Sequence, residues 1–129
     1  MKRSGVINAA LSAGLASLGH TDLVVVGDCG MPRPPGVPVV DLALVAGVPT
    51  VAQVLDALAD ELVVERSTVA AEADGSNAPF VALVTRMFGE PDRVRHEELK
   101  RMSASARLFV RSGEATAFAN VALRCGVPF

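Results

Sequence analysis

Two histidines, His20 and His96, are the only side chains in this chain that ordinarily titrate near neutral pH. His20 stands in Gly19-His20-Thr21-Asp22, directly before the apolar run Leu23–Val26, and Asp28 follows in Gly27-Asp28-Cys29-Gly30. The apolar run reads as a short buried strand with an imidazole at one end and a carboxylate at the other. A strand of about five residues spans roughly 17 Å, so the two groups need not touch within one chain and can meet across a subunit boundary. An imidazole gives and takes protons at neutral pH, and a carboxylate accepts them from hydroxyls. From residue types alone, His20 reads equally as a cation at a helix C-terminus, and Asp28 as a turn residue. Asn120 sits in an apolar stretch, where a buried amide needs partners.

Other chemistries find less support. His96-Glu97-Glu98 points its acids in different directions on a helix, and no Cys-x-x-Cys or His-Glu-x-x-His is present, so no metal is expected. No Gly-x-Gly-x-x-Gly opens a helix and no Walker lysine loop exists, so no cofactor is expected either. Cys29 beside Asp28 lacks a basic partner nearby and reads, like Cys125, as a structural thiol.

The elements that must position these groups alternate along the chain. Asn8 caps a helix with Leu11, Leu15 and Leu18 on one face, stopped by Gly19. Three prolines make Gly30–Gly36 a stiff loop beside Asp28. Val37–Leu44 is extended, and Thr50 caps a helix whose stripe is Val51, Val54, Leu55 and Leu58. Glu61–Val69 reads as a strand and Glu72–Asn77 as a turn. Asn77 and Pro79 open a helix faced by Phe80, Leu83, Val84, Met87 and Phe88. His96–Ser105 reads as a helix, Leu108–Val110 and Phe118–Leu123 as strands. Interleaving of this kind predicts an α/β layered domain covering residues 1–129.

Half of the residues are hydrophobic and mean hydropathy is +0.40, yet only 4% are aromatic. The core must therefore be Ala, Val and Leu, and the excess of small apolar residues favours self-association. Net charge is −2 with the two signs interspersed, so nucleic acid is not an expected partner. No apolar run reaches the ~18 residues of a membrane span, and the Lys2-Arg3 pair precedes no signal-peptide pattern. Two cysteines suit a reduced compartment, and the expectation is a soluble cytoplasmic protein.

Several segments in order resemble the D-ribose pyranase / L-fucose mutarotase family. They are Lys2 to Asn8, Leu18-Gly19-His20-Thr21-Asp22, Val24 to Pro32, Asp41-Leu42-Ala43-Leu44, Gly47-Val48-Pro49 and Gln53-Val54-Leu55. Arg111-Ser112-Gly113-Glu114, Ala119-Asn120-Val121 and the ending Cys125-Gly126-Val127-Pro128-Phe129 complete the likeness, which runs end to end.

The resemblance implies a three-layer α/β/α sandwich assembled into a ring-shaped homo-oligomer, a decamer of stacked pentamers, with sites at subunit contacts. It implies a cofactor-independent isomerase that interconverts the pyranose and furanose forms of D-ribose by acid/base ring opening and closing. His20 then corresponds to the catalytic histidine, and Asp28, His96, Phe118, Ala119 and Asn120 to residues that hold the free monosaccharide. The alternatives are a mutarotase for L-fucose or a related sugar, and a non-catalytic monosaccharide-binding oligomer. Phe118 motivates the last, because the family usually carries tyrosine there. The stretch from Gly75 to Arg95 is also shorter than in typical pyranases.

Overall fold

The computed structural model describes all 129 residues. One six-stranded sheet runs through it in the order β2-β5-β1-β6-β3-β4. The strands are β1 Leu23–Gly27, β2 Val39–Asp41, β3 Val64–Ala70, β4 Asp92–Val94, β5 Leu108–Arg111 and β6 Val121–Cys125. The helices are α1 Ala9–Ala16, α2 Val51–Ala59, α3 Ala73–Ser76, α4 Ala78–Phe88 and α5 His96–Ser103. β6 runs antiparallel to both its neighbours, and every other pairing is parallel.

Because side chains alternate across a sheet, the strands sort their residues onto two faces. Val24, Val26, Val69, Leu108, Val110, Val121 and Leu123 join α1, α2 and α4 in the larger core. Val25, Ala70, Phe109 and Ala122 face the other way, onto Leu99 of α5 and Met31. The result is the expected three-layer α/β/α arrangement, with most of its helices on one side. Core side chains such as Leu55 and Leu58 are fully buried, each worth about 1.5–3 kcal/mol of transfer free energy.

Local signals account for the helix starts. Asn8 Oδ1 accepts from the Leu11 N–H at 2.9 Å. Thr50 and Gln53 form a reciprocal capping box, with bonds of 3.2 and 2.9 Å.

Five expectations need correction. α1 ends at Ala16, and Leu18 packs on the core from beyond the helix. Gly19 is not its stop; its N–H donates to Asp22 Oδ2 in the turn that carries His20. The segment read as a turn at Glu72–Asn77 contains one helical turn, α3. Asn77 occupies the cap position of α4, but its amide donates instead to Thr116 Oγ1 and Ala117 O, tying α4 to the loop before β6. The residues after α4, assigned to no element above, form the edge strand β4, held by Arg93 against Asp74 and Glu90. Those two acids raise the Arg93 guanidinium above its ordinary range. Finally, the last strand starts at Val121, not Phe118: Phe118 has φ 57°, which no strand accommodates. No helix is long and apolar enough to cross a membrane.

Candidate functional site

The carboxyl ends of β1, β3, β4 and β5 lie at one end of the sheet, where β6 begins. Open α/β sheets place ligands at that end. To flank β1 on both sides, the connection from β5 to β6 must cross the exit of β1, and it does so through residues 112–120.

That crossing is braced by the Arg111–Glu114 segment. Arg111 donates from Nε and Nη2 to the Cys29 carbonyl, at 3.2 and 2.9 Å, and from Nη1 to the Asp41 carboxylate. Ser112 donates from both N–H and Oγ to the Gly27 carbonyl. A Cβ on Gly113 would overlap the Val48 backbone, so only glycine fits there. The Glu114 carboxylate accepts from the Val51 N–H at the start of α2 and from the N–H groups of Ala115 and Thr116.

The antiparallel register pairs Val26 with Val121, which brings the residues just outside these strands together. The Asp28 N–H donates to Asn120 Oδ1 at 2.8 Å, and Asn120 Nδ2 donates to Asp28 Oδ2 at 2.8 Å. Asp28 Oδ1 accepts from the Gly30 N–H at 2.9 Å. Asn120 is 1% exposed, and this reciprocal pair supplies the partners that its burial requires.

β4 delivers His96 as the first residue of α5. The Glu72 carboxylate accepts from its backbone N–H at 2.9 and 3.1 Å, an acid at a helix N-terminus. The imidazole meets the Phe118 ring edge to face, with centroids 5.0 Å apart. Its Nδ1 is buried and unpartnered, which leaves Nε2 as the nitrogen able to reach a ligand. Although it begins a helix, His96 is half-buried.

Asp28, His96, Phe118 and Asn120 thus line one cleft of about 280 Å³, floored by Met31. Its volume is near the small end of the ~300–1,000 Å³ typical of ligand pockets. Lys100 also lines it, a residue that reads from sequence as a solvated or interface charge. Its spacing of four from His96 on α5 was the available signal. Lys100 Nζ is paired with Glu97 at 2.8 Å, which holds the Glu97 carboxyl below its usual range. Ala119 is fully buried in the larger core and offers the cleft no side chain.

His20 is not in this cleft. It lies at the opposite end of β1, in a hollow of about 570 Å³ with Glu61, Val63 and the tail Gly126–Phe129. Its turn is closely defined: Thr21 N–H donates to Cys125 O, Asp22 N–H to Gly19 O, and Cys125 N–H to Asp22 O. Thr21 has φ 70°, and Thr21 and Phe118 are the only non-glycine residues with positive φ. Backbone held in such regions concentrates at functional sites, and here one case adjoins each half of the predicted residue set. His20 Nε2 lies 3.2 Å from Glu65 Oε2, and Arg124 Nε forms an ion pair with Glu65 Oε1 at 2.9 Å. Nothing in the sequence flags this contact, because it depends on how β3 and β6 pair.

Residues 1–128 match the RbsD / FucU transport protein family. The chain is 53% identical to D-ribose pyranase 2 of Streptomyces griseus and 51% identical to D-ribose pyranase 1 of Rubrobacter xylanophilus. Both matches cover 100% of each chain. It is 39% identical to Bacillus subtilis RbsD in its structure complexed with D-ribose, with a TM-score of 0.95 and all of both chains covered. The Streptococcus pneumoniae fucose mutarotase in complex with L-fucose shares the fold, with a TM-score of 0.80 at 19% identity over 95% of each chain.

Proposed function

Because the chain belongs to the RbsD / FucU transport protein family, we propose that residues 1–129 act as one D-ribose pyranase unit. It interconverts the pyranose and furanose forms of the free sugar without a cofactor. The observation that carries this reading is the gathering of Asp28, His96, Phe118 and Asn120, far apart in sequence, into one polar cleft with an aromatic wall. Relatives named D-ribose pyranase across the full length support ribose over fucose.

In this reading Asp28, held rigid by Asn120 and Gly30, accepts a sugar hydroxyl, and His96 Nε2 takes another. Phe118 lies against the ring's apolar face, and the backbone at Ala119 supports the segment. His20 is the general acid/base. It removes the anomeric hydroxyl proton as the carbonyl forms and the ring C–O bond breaks, and it returns a proton to the ring oxygen. The imidazole begins and ends neutral, and closure onto another hydroxyl reverses these steps.

One chain separates His20 from the cleft by the length of β1, so a complete site takes His20 from a second copy. Self-association into the ring-shaped decamer serves that need. Its support here is the apolar surface left open: Phe129 is 99% exposed beside the His20 hollow, and Ile7 and Leu44 are 81% and 78% exposed. Both cysteines are free, which suits a reduced cytoplasmic setting.

Proton NMR saturation transfer on D-ribose at equilibrium tests the reading. Faster exchange between pyranose and furanose signals in the presence of protein is the expected result. Ribose binding without faster exchange would instead point to a non-catalytic sugar-binding oligomer.

A further inference from the structure

We propose that Glu65 is the positioning residue for His20, fixing the imidazole as the Nε2–H tautomer so that Nδ1 is the atom that moves protons. The inference rests on the reading of His20 as the acid/base.

Its first support is the contact itself. A carboxylate accepts and does not donate, so the 3.2 Å approach of Glu65 Oε2 to His20 Nε2 places the ring proton on Nε2. Nδ1 is then the bare nitrogen. When it takes a proton, the positive charge spreads over a ring whose other nitrogen faces a carboxylate, the same division of labour as in an acid–histidine pair. Arg124 Nε pairs with the second oxygen of Glu65 at 2.9 Å, which favours the carboxylate orientation that turns Oε2 toward the ring.

The second support is in the backbone. β3 and β6 pair regularly from Val69 down to Arg66, opposite Arg124, and resume at Val64, opposite Cys125. Glu65 is therefore the extra residue of a β-bulge. Along β3, Val69 and Val64 both pack on the larger core, a spacing that strict alternation forbids. The bulge reconciles them and releases Glu65 from the core-facing position that alternation would assign it. Bulges commonly re-aim a side chain in this way beside active sites. On the facing side, His20 is held by a turn with a strained threonine and three backbone bonds, so both partners are placed by the main chain.

A stability role does not explain the pair. His20 and Glu65 side chains are 53% and 38% exposed, and exposed ion pairs contribute little to folding.

The test measures D-ribose exchange over a range of ribose concentrations with the intact oligomer, using Glu65→Gln, Glu65→Ala and His20→Ala. The two Glu65 variants should lose about 10- to 100-fold in kcat, part of the ~10²–10⁴ that general acid/base catalysis supplies, with KM within about twofold. In protein carrying ¹⁵N-histidine, the wild-type His20 signals should show Nε2 protonated and Nδ1 bare, and Glu65→Ala should shift that pattern. Unchanged kcat in both Glu65 variants, or a wild-type His20 protonated at Nδ1, overturns the proposal. If both variants fail to fold, the wild-type tautomer decides. His20→Ala separates the two levels. Exchange surviving in that variant sinks the acid/base reading itself, whereas an inactive His20→Ala beside fully active Glu65 variants sinks only the role of Glu65.

Discussion

Asn120 can be tested as the residue that holds Asp28 in place. The pair exchanges two bonds of 2.8 Å: a neutral one from the Asp28 N–H to Asn120 Oδ1, and a charge-assisted one from Asn120 Nδ2 to the Asp28 carboxylate. A neutral bond is worth about 0.5–1.5 kcal/mol and one to a charged group about 1.5–3 kcal/mol, so Asn120→Ala should cost about 2–4.5 kcal/mol. In an Asp28→Ala background the charge-assisted bond is already lost, and the same substitution should cost only about 0.5–1.5 kcal/mol. The four proteins of this cycle are to be compared by urea unfolding at one protein concentration, because a self-associating chain's stability depends on concentration. With a slope of about 1–3 kcal/mol per molar urea, the difference between backgrounds is readily resolved as a midpoint shift. Equal costs in both backgrounds, within about 0.3–0.5 kcal/mol, would refute the coupling. Asn120 would then have to be read as a residue that meets the sugar on its own account.

Three further outcomes follow from particular contacts. Phe118→Tyr adds a hydroxyl at the cleft; one new bond to the sugar is worth about 0.5–1.5 kcal/mol, so ribose affinity measured by titration should rise about two- to twelve-fold. No change would place the ring's para position away from the ligand. Gly113→Ala forces a Cβ into the Val48 backbone and should lower stability by ~1–3 kcal/mol on thermal unfolding, with ribose affinity falling as the loop over β1 shifts. Cys125 should react with iodoacetamide far more slowly than Cys29 near neutral pH. Burial, reinforced by Asp22 and Glu65, pushes its thiol above the usual range, so less thiolate is present, and the side chain is only 3% exposed. Mass spectrometry of timed alkylation reads this, and equal rates would contradict it.

Much of this protein was legible in its sequence because local forces decide those parts. The caps at Asn8 and Thr50, the apolar stripe of α2 and the run Leu23–Val26 depend on residues within a turn or two of each other. The ordered segments that resemble the family are equally readable, and the full-length matches agree with them. Candidate residues could be named from their types and from the resemblance, but their grouping could not be read from the sequence. Asp28 and Asn120 are 92 positions apart and meet only because β1 and β6 pair antiparallel in one register. The edge strand β4 is three residues long and exists because β3 offers it a partner, so no periodicity marks it. Phe118 looked like the start of a strand because aromatic residues favour strands, and the crossing over β1 overrode that preference with a left-handed turn. Glu65 gave no sign of its partner, since a bulge shifts side-chain direction by a pairing that lies wholly outside the local sequence. Local propensity set the elements; long-range hydrogen bonding between strands decided which side chains share a site.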